Sequence, residues 1–286
     1  MVAGPVRVVV LADLHATSLP PGDEADSWLS TKAPRTPTTH PLIGLEAYFN
    51  DFPQHVDLLL VAGDICDKAD SKALTETWSD LTHLAGTLGA KMIATAGNHD
   101  LDSRHLGPDM DPRGTLYDLD PPFPTGCEAE RDRFWARNYV VVDGPTGADG
   151  RPEWRVVTLN SAAFHGYSGR DGDELNYGRV SVRTVQRLRA EISELPESKL
   201  NILMLHHHIA PMPLPGETDK SQMIDAEHLT EFLEETGSWI VFHGHTHQAK
   251  IMFGGAGAYN TVFSAGSMSA FPHKTLAGSG TANQPT

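Results

Sequence analysis

The chain has 286 residues, of which 40% are hydrophobic and 21% charged, and its formal net charge is -15. This is the composition of a globular protein with enough apolar sequence for a large core, and the acidic balance argues against binding to nucleic-acid polymers or anionic membranes. Two cysteines are too few for a disulfide framework. No signal-peptide pattern and no bilayer-length apolar run is found, so we expect a cytoplasmic protein without a membrane partner.

Apolar runs and amphipathic segments alternate along the chain. Buried strands are predicted over residues 7–12, 56–62, 91–96, 139–142, 154–159, 200–205, 239–242, 251–253 and 259–263. Helices are predicted over residues 41–51, 74–88, 128–138, 182–195 and 226–236. The second helix is typical, with Leu74, Trp78, Leu81 and Leu84 at helical spacing and Gly89 at its end. Residues 17–41, 101–126, 161–178 and 211–221 are rich in Pro, Gly or Asp and predict long loops.

The alternation of strands and helices predicts an α/β fold with helices outside the sheet. The late hairpins favour a second sheet over one doubly wound sheet. No repeat or linker divides the chain, so we expect a single domain over residues 1–276. Residues 277–286 are small and polar, which predicts a flexible tail.

Five apolar runs end in a polar cluster. In chain order the clusters are Asp13-Leu14-His15, Gly63-Asp64, Asn98-His99-Asp100, His206-His207-His208 and His245-Thr246-His247. If the strands lie side by side, their ends meet at one edge of a sheet, where α/β proteins bind ligands. Carboxylate, amide and imidazole groups together suit first-row divalent ions or iron, and the lack of cysteine fits a catalytic rather than a structural metal site. Each cluster alone has an ordinary alternative as a turn, but all five lie at strand ends.

The order of these motifs resembles the calcineurin-like metallophosphoesterase superfamily. The matching segments are Asp13-Leu14-His15, Gly63-Asp64-Ile65-Cys66-Asp67, Gly97-Asn98-His99-Asp100, His206 or His207, and Gly244-His245-Thr246-His247. The resemblance spans residues 13–247, most of the chain. It implies a four-layer α/β/β/α sandwich of two mixed sheets flanked by helices, with a dinuclear metal centre between the sheets.

The resemblance also implies a ligand set for two metal ions, which would be Mn, Fe or Zn. The implied ligands are Asp13, His15 and His247 for one ion and Asn98, His206 and His245 for the other, with Asp64 bridging them. We prefer His206 because it directly follows the strand. His207 stays open, because the family often has two adjacent histidines before a proline, whereas here three histidines and Ile209-Ala210 precede Pro211.

The activity implied is hydrolysis of a small phosphate ester by attack of a hydroxide that bridges the two metals. His99 resembles the family histidine that stabilises or protonates the leaving oxygen, a role suited to imidazole near neutral pH. Asp100 is the expected carboxylate that holds His99 in place. Asp67 has either a similar supporting role or that of an acidic helix N-cap.

The residues at the variable positions of the motifs narrow the class of substrate. Asp67-Lys68-Ala69 and His99-Asp100 differ from the protein Ser/Thr phosphatase pattern. Chain size and spelling look more like the cyclic-nucleotide and glycerophosphodiester phosphodiesterase branch, so a small phosphodiester is the favoured substrate. A phosphomonoesterase, or a non-enzymatic metal-bound scaffold for protein interaction, are the alternatives. Possible substrate contacts are His165, Tyr177, His207 and His208, and a solvated loop position is the alternative for each. The sequence does not predict the oligomeric state.

Overall fold

The computed structural model describes residues 5–22, 27–103, 111–167, 176–210, 222–253 and 260–270, and the predicted tail lies outside them. The described strands form two sheets. The smaller sheet is parallel, in the order β1 (Val8–Leu11), β2 (Leu58–Val61) and β3 (Lys91–Ala94). The larger contains β4 (Tyr139–Asp143), β5 (Arg155–Leu159), β6 (Asn201–Met204), β7 (Trp239–His243), β8 (Lys250–Phe253) and β9 (Thr261–Ser264). Its order is β4-β5-β6-β7-β9-β8, with only the edge strands β4 and β8 antiparallel to their neighbours.

Five longer helices and one short one complete the described part of the fold. They are α1 (Pro41–Asp51), α2 (Ser71–Leu88), α3 (Gly114–Tyr117), α4 (Glu128–Arg137), α5 (Val182–Glu194) and α6 (Ala226–Glu235). The ends of α2 follow from its sequence, since the Asp70 side chain accepts a hydrogen bond from Ala73 N at 3.1 Å and Gly89 closes the helix with φ 65°. The short α3 was not predicted, because a single turn gives no periodic pattern. None of the described helices combines the length and apolar character needed to cross a bilayer.

The two sheets pack face to face, with helices on both outer sides. Alternate residues of the central strands serve different cores. Val156 and Ile202 belong to the core shared with the smaller sheet and α2, whereas Val157 and Leu203 pack with residues of α5 and α6. The predicted α/β/β/α sandwich is therefore confirmed, with the smaller sheet parallel throughout its described strands.

Two side-chain hydrogen bonds join the sheets near the ends of their strands. Thr95 Oγ1 donates to the carbonyl of Leu159 at 2.8 Å, and Thr158 Oγ1 donates to the carbonyl of Ala94 at 2.6 Å. Both threonines are buried, so these bonds satisfy polar groups inside the core. They fix β3 against β5 at the end of the sandwich where the polar clusters lie.

All five polar clusters follow parallel strands at this end. Asp13 follows β1, Asp64 follows β2, Asn98 follows β3, His206 follows β6 and His245 follows β7. The smaller sheet supplies the carboxylates and the amide, and the larger sheet supplies the histidines of residues 206–247. The site is thus built across the seam between the two sheets.

Candidate metal centre

The backbone at this edge adopts a conformation that side chains rarely favour. Five of the seven implied ligands have positive φ angles: Asp13 (53°), His15 (45°), Asp64 (52°), His245 (74°) and His247 (56°). A non-glycine residue in the left-handed region is uncommon, and such residues concentrate at functional sites. The turns after three different strands thus place these side chains in one volume against local backbone preference.

Glycines allow the turns to approach one another. A Cβ on Gly97 would overlap the backbone nitrogen of Asp64, and a Cβ on Gly63 would lie 2.7 Å from both Gly97 N and His206 Nδ1. A Cβ on Gly244 would lie 2.8 Å from Asp13 Oδ2. The glycines of the Gly-Asp, Gly-Asn-His and Gly-His motifs are therefore required by close backbone packing.

The protons on His206 can be placed from its partners. Its Nδ1 lies 2.8 Å from the carbonyl of Ala62, which can only accept, so Nδ1 carries a hydrogen. In neutral imidazole Nε2 then has a lone pair, and it lies 3.3 Å from Asp64 Oδ2 and 3.1 Å from Asn98 Oδ1. The Nδ1 atom of His245 lies 3.2 Å from the same nitrogen. The Nε2 lone pair, Asp64 Oδ2 and Asn98 Oδ1 therefore face one another, an arrangement that a positive charge between them stabilises.

A second group of donor atoms surrounds His15. Its Nε2 lies 3.0 Å from Nε2 of His247 and 3.5 Å from Asp64 Oδ2, and His247 Nε2 lies 3.7 Å from Asp13 Oδ1. Ligand atoms of Asp13, His15 and His247 all lie within 4.8 Å of one another, as do those of Asp13, Asp64 and His206. The described residues thus hold two adjacent clusters that could each bind a cation.

Asp64 connects the two clusters through one oxygen. Its Oδ1 accepts the backbone N–H of His99 at 2.8 Å. Its Oδ2 is the atom that faces both His15, at 3.5 Å, and His206, at 3.3 Å. Since the hydrogen bond fixes one oxygen, the other is directed between the clusters, as a bridging ligand requires.

Burial and charge perturb these groups in a way that fits bound cations. Burial raises the pKa of Asp13 to about 6, with the neighbouring Asp64 charge adding to the effect. Burial also opposes ionisation of Asp64, but the charge and hydrogen bond of His206, together with the charges of His99 and His15, outweigh it and hold the Asp64 pKa well below its usual value. Burial would lower the pKa of His206, yet the Asp64 carboxylate raises it to about 9. A proton on His206 therefore occupies a place that a metal ion would take.

The remaining candidate histidines are suited to ligation. Burial lowers the pKa of His245 well below its ordinary value, and burial together with the charge on His15 lowers that of His247 to about 4. Both rings are neutral near pH 7, which is the form that binds metals. The donor set of oxygens and neutral imidazoles fits Mn, Fe or Zn, and on this chemistry the residues fit a dinuclear centre.

The carboxylate beside His99 is not the expected one. Asp67 Oδ1 lies 2.7 Å from His99 Nδ1, whereas Asp100 accepts hydrogen bonds from Cys66 N at 3.0 Å and Gly97 N at 2.9 Å. Asp100 is turned inward because two buried backbone N–H groups need an acceptor. The prediction that Asp100 holds His99 is therefore wrong in its contact, and Asp67, which was weighed for a supporting role, lies there instead. His99 itself is a quarter exposed, with its ring 4.6 Å from that of His15.

The four possible substrate contacts lie close to the centre, but three of them are buried. His207 and His208 are fully buried and His165 is 3% exposed, so a solvated loop position is excluded for these three. His165 donates from Nε2 to the carbonyl of Tyr177 at 2.9 Å and stacks on His207 with ring centroids 5.4 Å apart. Tyr177 is half-buried. Their contact with a substrate stays a prediction.

Sequence reasoning missed Ser161. It is fully buried directly beyond β5, and its Oγ lies within hydrogen-bond distance of both His206 and His207. Its position after a strand end, like that of the five clusters, was the available signal. A serine in a predicted loop carries too little chemistry to stand out.

The fold is similar to those of several solved structures. For a dimetal phosphatase from Danio rerio the TM-score is 0.59, with 12% identity over 94% of this chain and 90% of that chain. For GAP50, the anchor in the inner membrane complex of Plasmodium, it is 0.54, with 9% identity and coverage of 92% and 72%. For the purple acid phosphatase PPD1 from yellow lupin it is 0.54, with 13% identity and coverage of 93% and 44%. At these identities the likeness shows the fold alone.

Comparison by sequence identifies the family. No curated protein matches this chain significantly by sequence. The model of the calcineurin-like phosphoesterase family, however, matches residues 6–249, which is most of the chain and includes both donor clusters. The clusters and this match together support a metal-dependent phosphoester hydrolase. The chain belongs to the calcineurin-like phosphoesterase family.

Proposed function

We propose that this protein is a dinuclear-metal-dependent phosphoesterase that hydrolyses a small phosphodiester. The observation that carries the proposal is the placement of Asp64. One of its oxygens is fixed by a backbone N–H, and the other faces the ring nitrogens of both His15 and His206. A carboxylate held in this way can be shared by two cations, which the two-metal mechanism of phosphoester hydrolysis requires.

Each residue has a role in this proposal. Asp13, His15 and His247 would hold one ion, Asn98, His206 and His245 the other, and Asp64 would hold both. The ions, when bound, would supply the positive charge that binds phosphoryl oxygens and lowers the pKa of water. All seven side chains come from turns fixed by the packed sheets, so their positions are set before a substrate binds.

His99 is the proposed proton donor to the leaving oxygen. Nδ1 of His99 is hydrogen-bonded to Asp67, so Nε2 of His99 is the nitrogen that can exchange a proton with the substrate. The Asp67 carboxylate at 2.7 Å also fixes the orientation of the ring. The side chain is 26% exposed, whereas His206 is fully buried, and this is consistent with contact to a leaving group that departs to solvent.

A small diester is preferred because the chain size and the motif residues look more like the cyclic-nucleotide and glycerophosphodiester phosphodiesterase branch of the family than like the protein phosphatases. The net charge of -15 disfavours a polyanionic substrate. The test is turnover by the Mn²⁺-loaded protein of bis-p-nitrophenyl phosphate, a diester, against p-nitrophenyl phosphate, a monoester. We expect faster turnover of the diester.

Variants make this experiment specific. Asp64→Ala should abolish turnover and reduce the metal content, whereas His99→Ala should keep both ions and lose about 10²- to 10⁴-fold in kcat, the range for a general acid. The exposed Asp51→Ala is the matched control and should behave as wild type. No turnover of either ester by the loaded protein would contradict the enzyme proposal and leave the metal-bound scaffold. Turnover of the monoester alone would contradict the diester preference.

A further inference from the structure

We propose that Ser161 is a positioning residue that decides which of the two adjacent histidines, His206 or His207, binds metal. It does so by holding His207 in the tautomer that cannot act as a ligand. The inference rests on the proposed metal centre, but its central test can be made on the metal-free protein.

The hydroxyl of Ser161 has three hydrogen-bond partners in the described part of the chain. Its Oγ lies 3.2 Å from the backbone nitrogen of His206, 3.1 Å from that of His207 and 2.9 Å from His207 Nδ1. A hydroxyl has two lone pairs and one hydrogen. The two backbone N–H groups can only donate, so they use both lone pairs. The hydroxyl hydrogen is then left for His207 Nδ1, which must accept it.

These hydrogen bonds determine which ring nitrogen of His207 carries the hydrogen. Because Nδ1 accepts, the hydrogen of the neutral ring is on Nε2. A metal ion binds only a nitrogen with a free lone pair. Nδ1 is occupied by Ser161 and Nε2 carries a hydrogen, so neither can bind a cation. His207 is excluded even though it lies within ligand distance of His206 and His245.

The adjacent His206 has the opposite arrangement. Its Nδ1 donates to the carbonyl of Ala62 at 2.8 Å, so in the neutral ring that a metal would require, the lone pair is on Nε2, the atom that faces Asp64. One hydroxyl and one carbonyl therefore give two neighbouring histidines opposite tautomers. The choice of His206 over His207 follows from these partners and not from distance, since both rings are close enough.

Packing opposes a rotation of the His207 ring that would exchange the positions of its two nitrogens. A Cβ on Gly178 would lie 2.5 Å from Cβ and Cγ of His207, and the ring of His165 stacks on the other side at an interplanar angle of 17°. Nε2 is buried and has no hydrogen-bond partner in the described part of the chain. His207 therefore offers no lone pair to a cation.

The direct test is the tautomer of His207. Protein labelled with ¹⁵N at histidine is studied by NMR, metal-free and loaded with diamagnetic Zn²⁺, and the His207 signals are assigned by their loss in His207→Gln. We expect hydrogen on Nε2 in both states, and a mixture of tautomers in Ser161→Ala. Ser161→Thr retains a hydroxyl and should restore the wild-type pattern. A wild-type His207 with its hydrogen on Nδ1 would overturn the proposal.

A second test measures Zn²⁺ affinity, which we expect to rise, and not fall, when Ser161 is removed from a variant that lacks His206. His207→Gln should keep two Zn²⁺ ions per chain in a calorimetric titration, and His206→Ala should lose one. In the His206→Ala background, adding Ser161→Ala frees His207 to present a lone pair. Zn²⁺ affinity should then rise, on the order of tenfold, the lower end of what the partner of a ligand contributes. A further fall in affinity would count against the proposal.

The two proposals can fail separately. If wild-type protein does not bind two ions, the proposed dinuclear centre is wrong. The His207 tautomer in metal-free protein still tests the assignment of the hydrogen bonds at Ser161. Circular dichroism and thermal unfolding of each variant show whether it is folded. Since the tautomer is measured on the wild type, a misfolded Ser161 variant does not remove the test.

Discussion

The pair of aspartates near His99 gives the sharpest prediction about catalysis. Asp67→Asn removes the charge from the group that bonds His99 Nδ1 at 2.7 Å. A hydrogen bond to a charged group contributes about 1.5–3 kcal/mol. Each factor of ten in rate corresponds to about 1.4 kcal/mol, so kcat should fall about 10- to 100-fold if the bond stabilises the protonated ring in the transition state. Steady-state hydrolysis of the diester by Mn²⁺-loaded protein measures this.

Asp100→Asn is the matched comparison, with the same chemical change at a residue of the loop after β3, next to His99 in sequence. One carboxylate oxygen becomes an amide NH₂ that faces a backbone N–H of Cys66 or Gly97. An unsatisfied buried N–H costs about 1–3 kcal/mol, which lowers the Tm by roughly 2–12 °C for a domain of this size. We expect this variant to lose stability and to keep most of its kcat below its Tm.

A double-mutant cycle separates the two routes by which Asp67 could act. Asp67 Oδ1 also lies 3.7 Å from His15 Nδ1, so the metal content of Asp67→Asn must be measured. If Asp67 acts through His99, Asp67→Asn should have little further effect on kcat in a His99→Gln background. The reasoning is refuted if Asp67→Asn has wild-type kcat while Asp100→Asn loses activity at unchanged Tm.

Three further predictions concern the packing of the site, the bound metal and the pH dependence of stability. Gly97→Ala places a Cβ against the backbone of Asp64, so we expect metal affinity and thermal stability to fall together. Calorimetric titration and thermal unfolding measure these two quantities. A variant of wild-type stability that binds two ions would contradict the packing argument. Chelation should lower the Tm, because ions at a thousandfold excess over Kd stabilise the folded protein by about 4 kcal/mol. An unchanged Tm would argue against bound metal. Burial, with the charge of Arg35, lowers the pKa of His40, so the unfolded state takes up a proton first and stability should decline as pH falls below about 6.5. His40→Gln should make that decline in urea midpoint shallower, and an identical decline would show that His40 is not its cause.

The elements of the fold were largely predictable because most strands are apolar runs. The run before Asp64 predicted β2, and the helical spacing up to Leu88 predicted the end of α2, whereas its start lies three residues before the predicted one. The layered sandwich came from the family resemblance and from the late hairpins. The single-turn α3 was missed, since four residues carry no period.

The contents of the site were predictable, but the direction of its side chains was not. Sequence order places Asp67 and Asp100 near His99 without saying which one turns inward. That choice depends on the backbone N–H groups that lack partners, and these exist only once the turns are packed. The burial of His208 likewise depends on the larger sheet, and the role of Ser161 on three hydrogen bonds between segments distant in sequence.

The site between the sheets also joins segments that are far apart in the sequence. His15 and His247 face each other with 232 positions of sequence between them, and His206 and Asn98 meet across 108. Closing loops of this length costs entropy that grows only slowly with length. An ion held by residues from both ends acts as a reversible cross-link of the chain, and neither half alone contains a full ligand set. Loss of the ions should therefore weaken the attachment of the last described strands to the first, so that their amide hydrogens exchange faster in the metal-free protein.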